Sequence, residues 1–107
     1  FRRVLFRSVG WPLIQWTAEA QDWSGGDQGP DAYRTANTIA ASTKDGGIIL
    51  MHDMKINSAK ATEMFIPKLE ERGFMLLTMD ELFAKDGVTL EANQAYWRCL
   101  DGVTTQY

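Results

Sequence analysis

The stretch "GGIILMHD", residues 46–53, decides the fold, because four apolar residues in it run directly into the single histidine of the chain. Short continuous apolar runs are typical of strands that are buried on both faces, as in parallel sheets. His52 therefore lies at the end of a predicted buried strand, with Asp53 directly behind it. Reactive side chains collect at the carboxyl ends of parallel strands, so His52 is the first candidate for a functional residue.

Strands and helices are predicted to alternate on both sides of this run. The predicted strands are residues 13–17, 48–51 and 74–79. The predicted helices are residues 32–43 with Asp31 as N-cap, a helix from Asn57 or Ser58 to Arg72 that Pro67 kinks or breaks, and a short helix between Asp80 and Gly87. This order implies right-handed crossovers and an α/β fold with a parallel sheet, and residues 88–107 are expected to be a tail without a clear period.

Composition limits the chain to about one small domain. It has 107 residues, of which 45% are hydrophobic, and a single cysteine, Cys99. One cysteine excludes an internal disulfide and a cysteine-based zinc site, and Cys99 is expected to be inert in the tail. No run of about 18 apolar residues is present, so no membrane span is predicted, and no signal peptide is recognisable.

The first eight residues, "FRRVLFRS", resemble the in-frame translation of a widely used sequencing-library adapter. We therefore exclude residues 1–8 from fold reasoning as non-native sequence. Without Arg2, Arg3 and Arg7 the 11 basic residues fall to 8 against 14 acidic ones, a net charge of −6. An acidic balance without a basic cluster argues against nucleic acid as a partner.

Two predicted strands end in polar residues that the fold should bring together. The first ends in "EAQDW", residues 19–23, and the second in "LMH", residues 50–52. If the two strands are parallel neighbours in the sheet, Asp22, Trp23 and His52 would lie around one cleft at their carboxyl ends. A carboxylate that accepts a hydrogen bond from an imidazole fixes its tautomer and favours its protonated form, which makes a competent general acid near neutral pH. Trp23 and Leu50 would add an apolar wall.

Three stretches resemble, in order, the C-terminal half of the polysaccharide deacetylases with a NodB-homology domain (carbohydrate esterase family 4 type). They are "WTAEAQDWSG" (16–25), "DGGIILMHD" (45–53) and "LEERGFMLLTMDEL" (69–82). The late motifs of that family, Asp-x-x-Asp-Trp and Leu-x-His, correspond here to Glu19-x-x-Asp22-Trp23 and Leu50-x-His52. The resemblance covers residues 9–87, which would be a partial deacetylase domain, and implies the C-terminal βα units of a distorted (β/α)7 barrel, truncated at the N-terminus.

What the resemblance implies is metal-dependent removal of acetyl groups from N-acetylated glycans. By carry-over, His52 is the general acid that protonates the leaving amine, and Asp22 orients and tunes it. Trp23 and Leu50 line the substrate pocket. In that family an Asp and two His hold a divalent ion, usually zinc, beside an Asp that acts as base. The parent protein would act on N-acetylglucosamine in peptidoglycan, outside the cell or anchored in its envelope.

The departures from the family pattern concern the metal site. The early motifs, an Asp-Asp pair and His-x-x-x-His, are absent, and one histidine cannot supply two imidazole ligands. We therefore expect this chain to be inactive by itself and to bind no metal. Three alternatives stay open: a chitin or chitooligosaccharide deacetylase, a non-catalytic glycan-binding relative, and an unrelated α/β domain in which Asp22 and His52 point to different ends of the sheet.

Overall fold

The computed structural model describes residues 10–106 of the chain, so the adapter-like residues 1–8 lie outside the described part. The described residues form an α/β structure of three helices and a three-stranded sheet. In chain order these elements are β1 (Leu13–Ile14), α1 (Ala32–Ser42), α2 (Ile56–Glu71), α3 (Met79–Ala84), β2 (Ala95–Leu100) and β3 (Val103–Gln106). The α/β class predicted from the sequence is confirmed.

The chain divides into two compact units, and the first comprises residues 10–17, 46–48 and 77–106. Its sheet has the order β1-β2-β3, with β1 parallel to β2 and β2 antiparallel to β3. Tyr96 is fully buried in the core of this unit, where its ring meets that of Phe83 edge-on at 5.4 Å between centroids. Its hydroxyl accepts a hydrogen bond from the backbone N–H of Glu91 at 2.8 Å, so burial leaves no polar atom of this side chain unpaired.

The predicted aperiodic tail is wrong, because β2 and β3 form a hairpin. Asp101 and Gly102 connect the two strands with φ angles of 51° and 76°. Asp-Gly is the residue pair that a tight hairpin turn with two left-handed residues favours, so the signal was present in the sequence. Cys99 accordingly lies in a strand and is fully buried rather than in a loose tail, and burial raises the pKa of its thiol.

The second unit, residues 18–45 and 49–76, is built on the packing of α1 against α2. Its buried core is Ala36, Ile39, Ala61, Phe65 and Leu69. The predicted N-cap of α1 is confirmed, since the carboxylate of Asp31 accepts from the backbone N–H of Arg34 at 3.2 Å.

The prediction for α2 is correct at its end and wrong at its start, and of the kink or break predicted at Pro67 the break is absent. The helix ends at Glu71, ahead of Gly73 with a φ of 89°, as predicted. It begins at Ile56, after Lys55, so neither Asn57 nor Ser58 is the cap. It also continues through Pro67 without a break. A proline removes one helical hydrogen bond, and the burial of the core residues on either side of it offsets that loss.

The predicted strand over residues 74–79 is wrong. Residues 74–78 belong to no strand, and Met75 in the middle of the run is 81% exposed. Thr78, not Asp80, is the N-cap of α3: its hydroxyl accepts from the backbone N–H of Glu81, whose carboxylate accepts from the N–H of Thr78 in return. This capping box fixes the backbone in the stretch where a strand was predicted.

The strand predicted over residues 48–51 is reduced to one isolated bridge at Ile49, and a second bridge lies just before it at Gly47. Gly47 pairs with Arg98 in the first unit, and Ile49 pairs in parallel with Ala18 in the second. Backbone N–H groups of Thr17 and Leu50 donate to Ile48 and Ala18, at 3.0 and 2.9 Å. The parallel neighbour relation predicted between the two motif-bearing segments is therefore present, although over only a few residues.

Gly46 tolerates no side chain, which leads to a first prediction. Its φ is +74°, and a Cβ there would overlap the carbonyl oxygen of Cys99 and come within 2.7 Å of the Cβ of Leu100. Gly46→Ala should lower the free energy of unfolding by about 2–4 kcal/mol, through left-handed strain and overpacking together. Urea denaturation followed by tryptophan fluorescence measures this.

Gly26→Ala is the matched control, because a Cβ at Gly26 meets nothing within 4 Å and its φ is outside the left-handed range. It should change the urea midpoint little. Equal effects of the two substitutions would contradict the packing described around Gly46.

Candidate functional site

Asp22 lies in a tight turn that directs its carboxylate inward. Gln21 before it has a left-handed φ of 52°, and Ser24 closes the turn by donating its N–H and its hydroxyl to the carbonyl of Gln21, at 3.0 and 2.7 Å. The side chain of Asp22 is buried, with 1% of the residue exposed. Asp22 follows the bridging residue Ala18 by four positions, and His52 follows its partner Ile49 by three. The two residues therefore emerge side by side.

The carboxylate of Asp22 accepts three hydrogen bonds within the second unit. Its Oδ1 pairs with the ring Nδ1 of His52 at 2.8 Å. Its Oδ2 accepts from the backbone N–H of His52 at 2.8 Å and from the hydroxyl of Ser58 at 2.7 Å. The predicted meeting of Asp22 with His52 is present, and it disfavours the alternative in which the two residues point to different ends of the sheet.

The electrostatics of this cluster determine where the imidazole proton lies. Burial alone would raise the pKa of Asp22, but hydrogen bonds from the Ser58 hydroxyl and from the backbone and ring of His52 outweigh it, so the pKa of Asp22 falls below its ordinary value. The carboxylate is therefore ionised at neutral pH and can only accept hydrogen bonds. It follows that Nδ1 of His52 carries a proton and that Nε2 is the nitrogen left for other chemistry.

His52 opens onto a cleft in the same unit. The cleft has a volume of about 480 Å³, and 30% of the His52 side chain is exposed. Met51 and Met54 give it an apolar part, and Thr62 and Asp53 give it polar edges. A histidine whose Nδ1 is held by a buried carboxylate and whose ring lines an open cleft is arranged to exchange a proton with a molecule bound there.

Trp23 and Leu50, the predicted substrate-binding residues, are placed differently from His52. Trp23 follows Asp22 directly and is 51% exposed. Leu50 is half-buried, and its backbone N–H is committed to Ala18. Neither residue lines the cleft. Their substrate-binding role stays a prediction.

Sequence reasoning missed Ser58 and the residues that line the cleft. Ser58 was considered only as a helix cap, yet its hydroxyl reaches a carboxylate 36 positions away. No local pattern identifies such a contact. Met51 and Met54 flank His52 in sequence, so their place in the cleft could have been inferred from proximity.

The loop that follows Asp22 is anchored to the start of α2. Lys55 donates its ammonium to the carbonyl of Gly26 at 3.1 Å, and the N–H of Asn57 donates to the carbonyl of Gln28 at 3.0 Å. Gly29, with a φ of +85°, packs so closely that a Cβ would meet the Cβ of Lys55 at 3.0 Å. These contacts hold the loop against the helix that carries Ser58.

The residues that are described do not fit a metal ion. Residues 10–106 contain no group of three or more His, Cys, Asp or Glu side chains that could hold one. The single imidazole already commits its Nδ1 to Asp22.

The chain is similar to known proteins that are named as deacetylases. The chain is 33% identical over 93 residues, 83% of its length, to the peptidoglycan-N-acetylglucosamine deacetylase PgdA of Listeria monocytogenes. It is 30% identical over 96 residues, 88% of its length, to a bifunctional xylanase/deacetylase of Pseudobutyrivibrio xylanivorans. The chain is related to the polysaccharide deacetylases. No family model matches the chain.

The chain spans less than a fifth of these deacetylases: 18% of the Listeria protein and 15% of the Pseudobutyrivibrio protein. The resemblance predicted from the late motifs is confirmed, and deacetylation is the activity that both relatives' names share. Across residues 10–106, no helix is both long enough and apolar enough to cross a lipid bilayer.

The lowered pKa of Asp22 leads to a second prediction. In the unfolded chain an Asp titrates near pH 3.9, so between the native and unfolded pKa values the unfolded chain binds more protons than the native one. The stability that Asp22 contributes is therefore present above about pH 4 and is lost as the pH falls through the native pKa. Asp22→Asn should cost roughly 2–4 kcal/mol at pH 7, and much less at pH 2, in denaturation experiments.

Asp27→Asn is the control, since Asp27 is exposed in the same loop. Its effect should be small at both pH values. An Asp22→Asn penalty of equal size at pH 7 and pH 2 would argue against an ionised Asp22 in the native state.

Proposed function

We propose that this chain is a segment of a metal-dependent polysaccharide N-deacetylase, and that its parent hydrolyses the acetamido group of N-acetylglucosamine in peptidoglycan. One observation carries the proposal: in a chain related to deacetylases, the buried carboxylate of Asp22 holds Nδ1 of His52 at 2.8 Å while the ring lines a cleft. That arrangement would supply the proton donor that amide hydrolysis requires.

The chemistry explains why a proton donor is needed. Water adds to the amide carbonyl carbon, the C–N bond then breaks, and the departing nitrogen must take up a proton, because an amide anion is a very poor leaving group. Protonated His52 would deliver that proton from Nε2. Asp22 would keep the ring oriented through Nδ1 and stabilise the imidazolium before transfer. Asp22 is thus an orienting residue, and His52 is the proposed general acid.

The metal in this proposal belongs to other parts of the parent. Zinc or another divalent ion would supply Lewis acidity to the reaction, as the resemblance implies. Because the described residues do not fit such an ion, we assign no ligand to them, and the base that activates water is likewise assigned elsewhere. The βα segments described above would then belong to a larger (β/α) barrel, and action on peptidoglycan implies a location outside the cell or in its envelope.

The substrate is assigned from the stronger of the two comparisons. The Listeria relative acts, by its name, on N-acetylglucosamine of peptidoglycan, whereas the second relative combines a deacetylase with a xylanase. The half-exposed indole of Trp23 offers a flat apolar face on which a sugar ring can stack, and Leu50 is proposed with it as substrate contact. Chitin or chitooligosaccharide is the next candidate polymer, and a glycan-binding protein without turnover is the competing function.

A chimera tests the proposed role of His52. The segment of Listeria PgdA that matches this chain is replaced by the corresponding residues of the chain, and acetate release from peptidoglycan and from chitooligosaccharide is measured. The chimera should be active, with a preference for peptidoglycan. His52→Ala in the chimera should lower kcat by about 10²–10⁴-fold with little change in KM, because the proton donor acts only in the transition state.

Asn37→Ala is a suitable control, because Asn37 is exposed on α1 and its side-chain oxygen accepts a hydrogen bond from Lys68 at 2.7 Å. It should leave kcat unchanged. Full activity of the His52→Ala chimera would remove His52 from the general-acid role, and a folded chimera that binds glycan without releasing acetate would favour the glycan-binding function.

The 107-residue chain provides a separate test of where the metal site lies. We expect it to release no acetate from N-acetylated glycan, with or without added zinc, because its described residues do not fit a metal. Acetate release above the buffer blank that depends on zinc would contradict the assignment of the metal ligands to other parts of the parent.

A further inference from the structure

Ser58 is a buried residue at the wall of the cleft, and its hydroxyl is committed to Asp22. It lies in the first turn of α2, is 3% exposed, and donates its hydroxyl to Oδ2 of Asp22 at 2.7 Å. We propose that Ser58 is a positioning residue, which fixes the carboxylate of Asp22 and thereby the Nδ1–H tautomer of His52 that presents Nε2 to the cleft. Its catalytic meaning rests on the function proposed above, whereas its effect on the tautomer does not.

The direction of the Ser58 hydroxyl sets it apart from other hydroxyls near helices. Ser42, Thr43 and Thr62 each donate to the carbonyl four residues earlier, at 2.8, 2.7 and 2.9 Å. That backward bond is a common choice for Ser and Thr in helices. Ser58 instead donates across 36 positions to a buried carboxylate. Its hydroxyl thus joins α2 to the turn that carries Asp22.

The geometry at the carboxylate explains how Ser58 acts on His52. Oδ2 of Asp22 accepts from two donors, the Ser58 hydroxyl and the His52 backbone N–H. A carboxylate oxygen has two lone pairs in the plane of the group, so these two donors saturate Oδ2 and define that plane. Oδ1 is then left to face Nδ1 of His52, at 2.8 Å. The orientation of the His52 ring therefore depends on the two groups that donate to Oδ2 of Asp22.

Removing the hydroxyl should loosen this arrangement. Without Ser58, Oδ2 retains a single donor, and that donor belongs to His52 itself, so α2 no longer fixes the carboxylate plane. The carboxylate gains rotational freedom, and its hydrogen bond to Nδ1 weakens. Because that hydrogen bond selects the tautomer, the neutral ring should populate Nε2–H more often.

The single histidine of the chain makes the tautomer directly measurable. In 15N-labelled protein, long-range proton–nitrogen NMR spectra of the imidazole report the ratio of the Nδ1–H to the Nε2–H form of His52 alone. The wild-type chain should show mainly Nδ1–H in its neutral ring. Ser58→Ala should lower the ratio by up to about tenfold, the upper limit that the loss of one hydrogen bond to a charged group allows, and Ser58→Thr, which keeps a hydroxyl, should restore it.

Ser42→Ala is the matched control, since it removes a helix hydroxyl whose partners are only the carbonyls of Thr38 and Ile39. It should leave the tautomer ratio at the wild-type value. A wild-type ratio in folded Ser58→Ala would overturn the proposal. If Ser58→Ala does not fold, Ser58→Cys, with a weaker donor of similar size, decides by the same measurement: an unchanged ratio again overturns the proposal, and a lowered one supports it.

The active chimera separates this inference from the proposed function. There Ser58→Ala should lower kcat with KM unchanged, and Ser58→Thr should recover it. A shifted tautomer ratio together with unchanged kcat in both the Ser58→Ala and His52→Ala chimeras would leave the positioning role intact and refute the general acid. A loss of kcat in His52→Ala together with an unchanged tautomer ratio in Ser58→Ala would support the general acid and refute the positioning role of Ser58.

Discussion

The buried carboxylate of Asp22 is the interaction on which the second unit of the chain depends. An isolated charge in a protein interior costs several kcal/mol, so it persists only when hydrogen-bond donors surround it. Here the donors come from the end of the segment that carries His52 and from the first turn of α2. One acceptor therefore fixes the turn at residues 21–24, the position of His52 and the start of a helix. The apolar contacts of α1 with α2 stabilise the unit, but they do not by themselves set those three positions.

The same constraint connects stability with chemistry. The hydrogen-bond donors that compensate for the burial of Asp22 also keep its carboxylate ionised. Because an ionised carboxylate can only accept, the hydrogen bond between it and Nδ1 of His52 requires a proton on Nδ1. Nε2 is then the ring nitrogen that Asp22 leaves uncommitted, in a residue that lines the cleft. A substitution of Asp22 therefore changes folding and ring orientation together, and kinetics alone cannot separate the two. Ser58 does not bond to the ring itself; it bonds to Asp22, which in turn bonds to the ring. A substitution of Ser58 can therefore change the orientation of the ring while Asp22 stays in place.

Local sequence signals predicted those parts of the structure that local interactions determine. Asp31 caps α1 and Gly73 follows the end of α2 because both effects act within one helical turn. The meeting of Asp22 with His52 followed from a single non-local rule, that polar residues at the ends of parallel neighbours face the same edge. The Asp101–Gly102 turn and the Thr78–Glu81 capping box are local signals of the same kind, and both are present in the sequence.

The position of Ser58 marks the limit of such reasoning. Its hydroxyl has a helix carbonyl as its usual partner, and only the packing of α2 beside the turn makes the carboxylate of Asp22 available instead. That packing depends on the two loop-to-helix bonds at Lys55 and Asn57 and on the absence of a Cβ at Gly29. The orientation of His52 is thus influenced by a glycine, two residues at the start of α2 and a serine, none of which carries a chemical signature of its own. In the proposed deacetylase these residues would hold the proton donor ready within this segment, independently of the parts of the parent that supply the metal and the base.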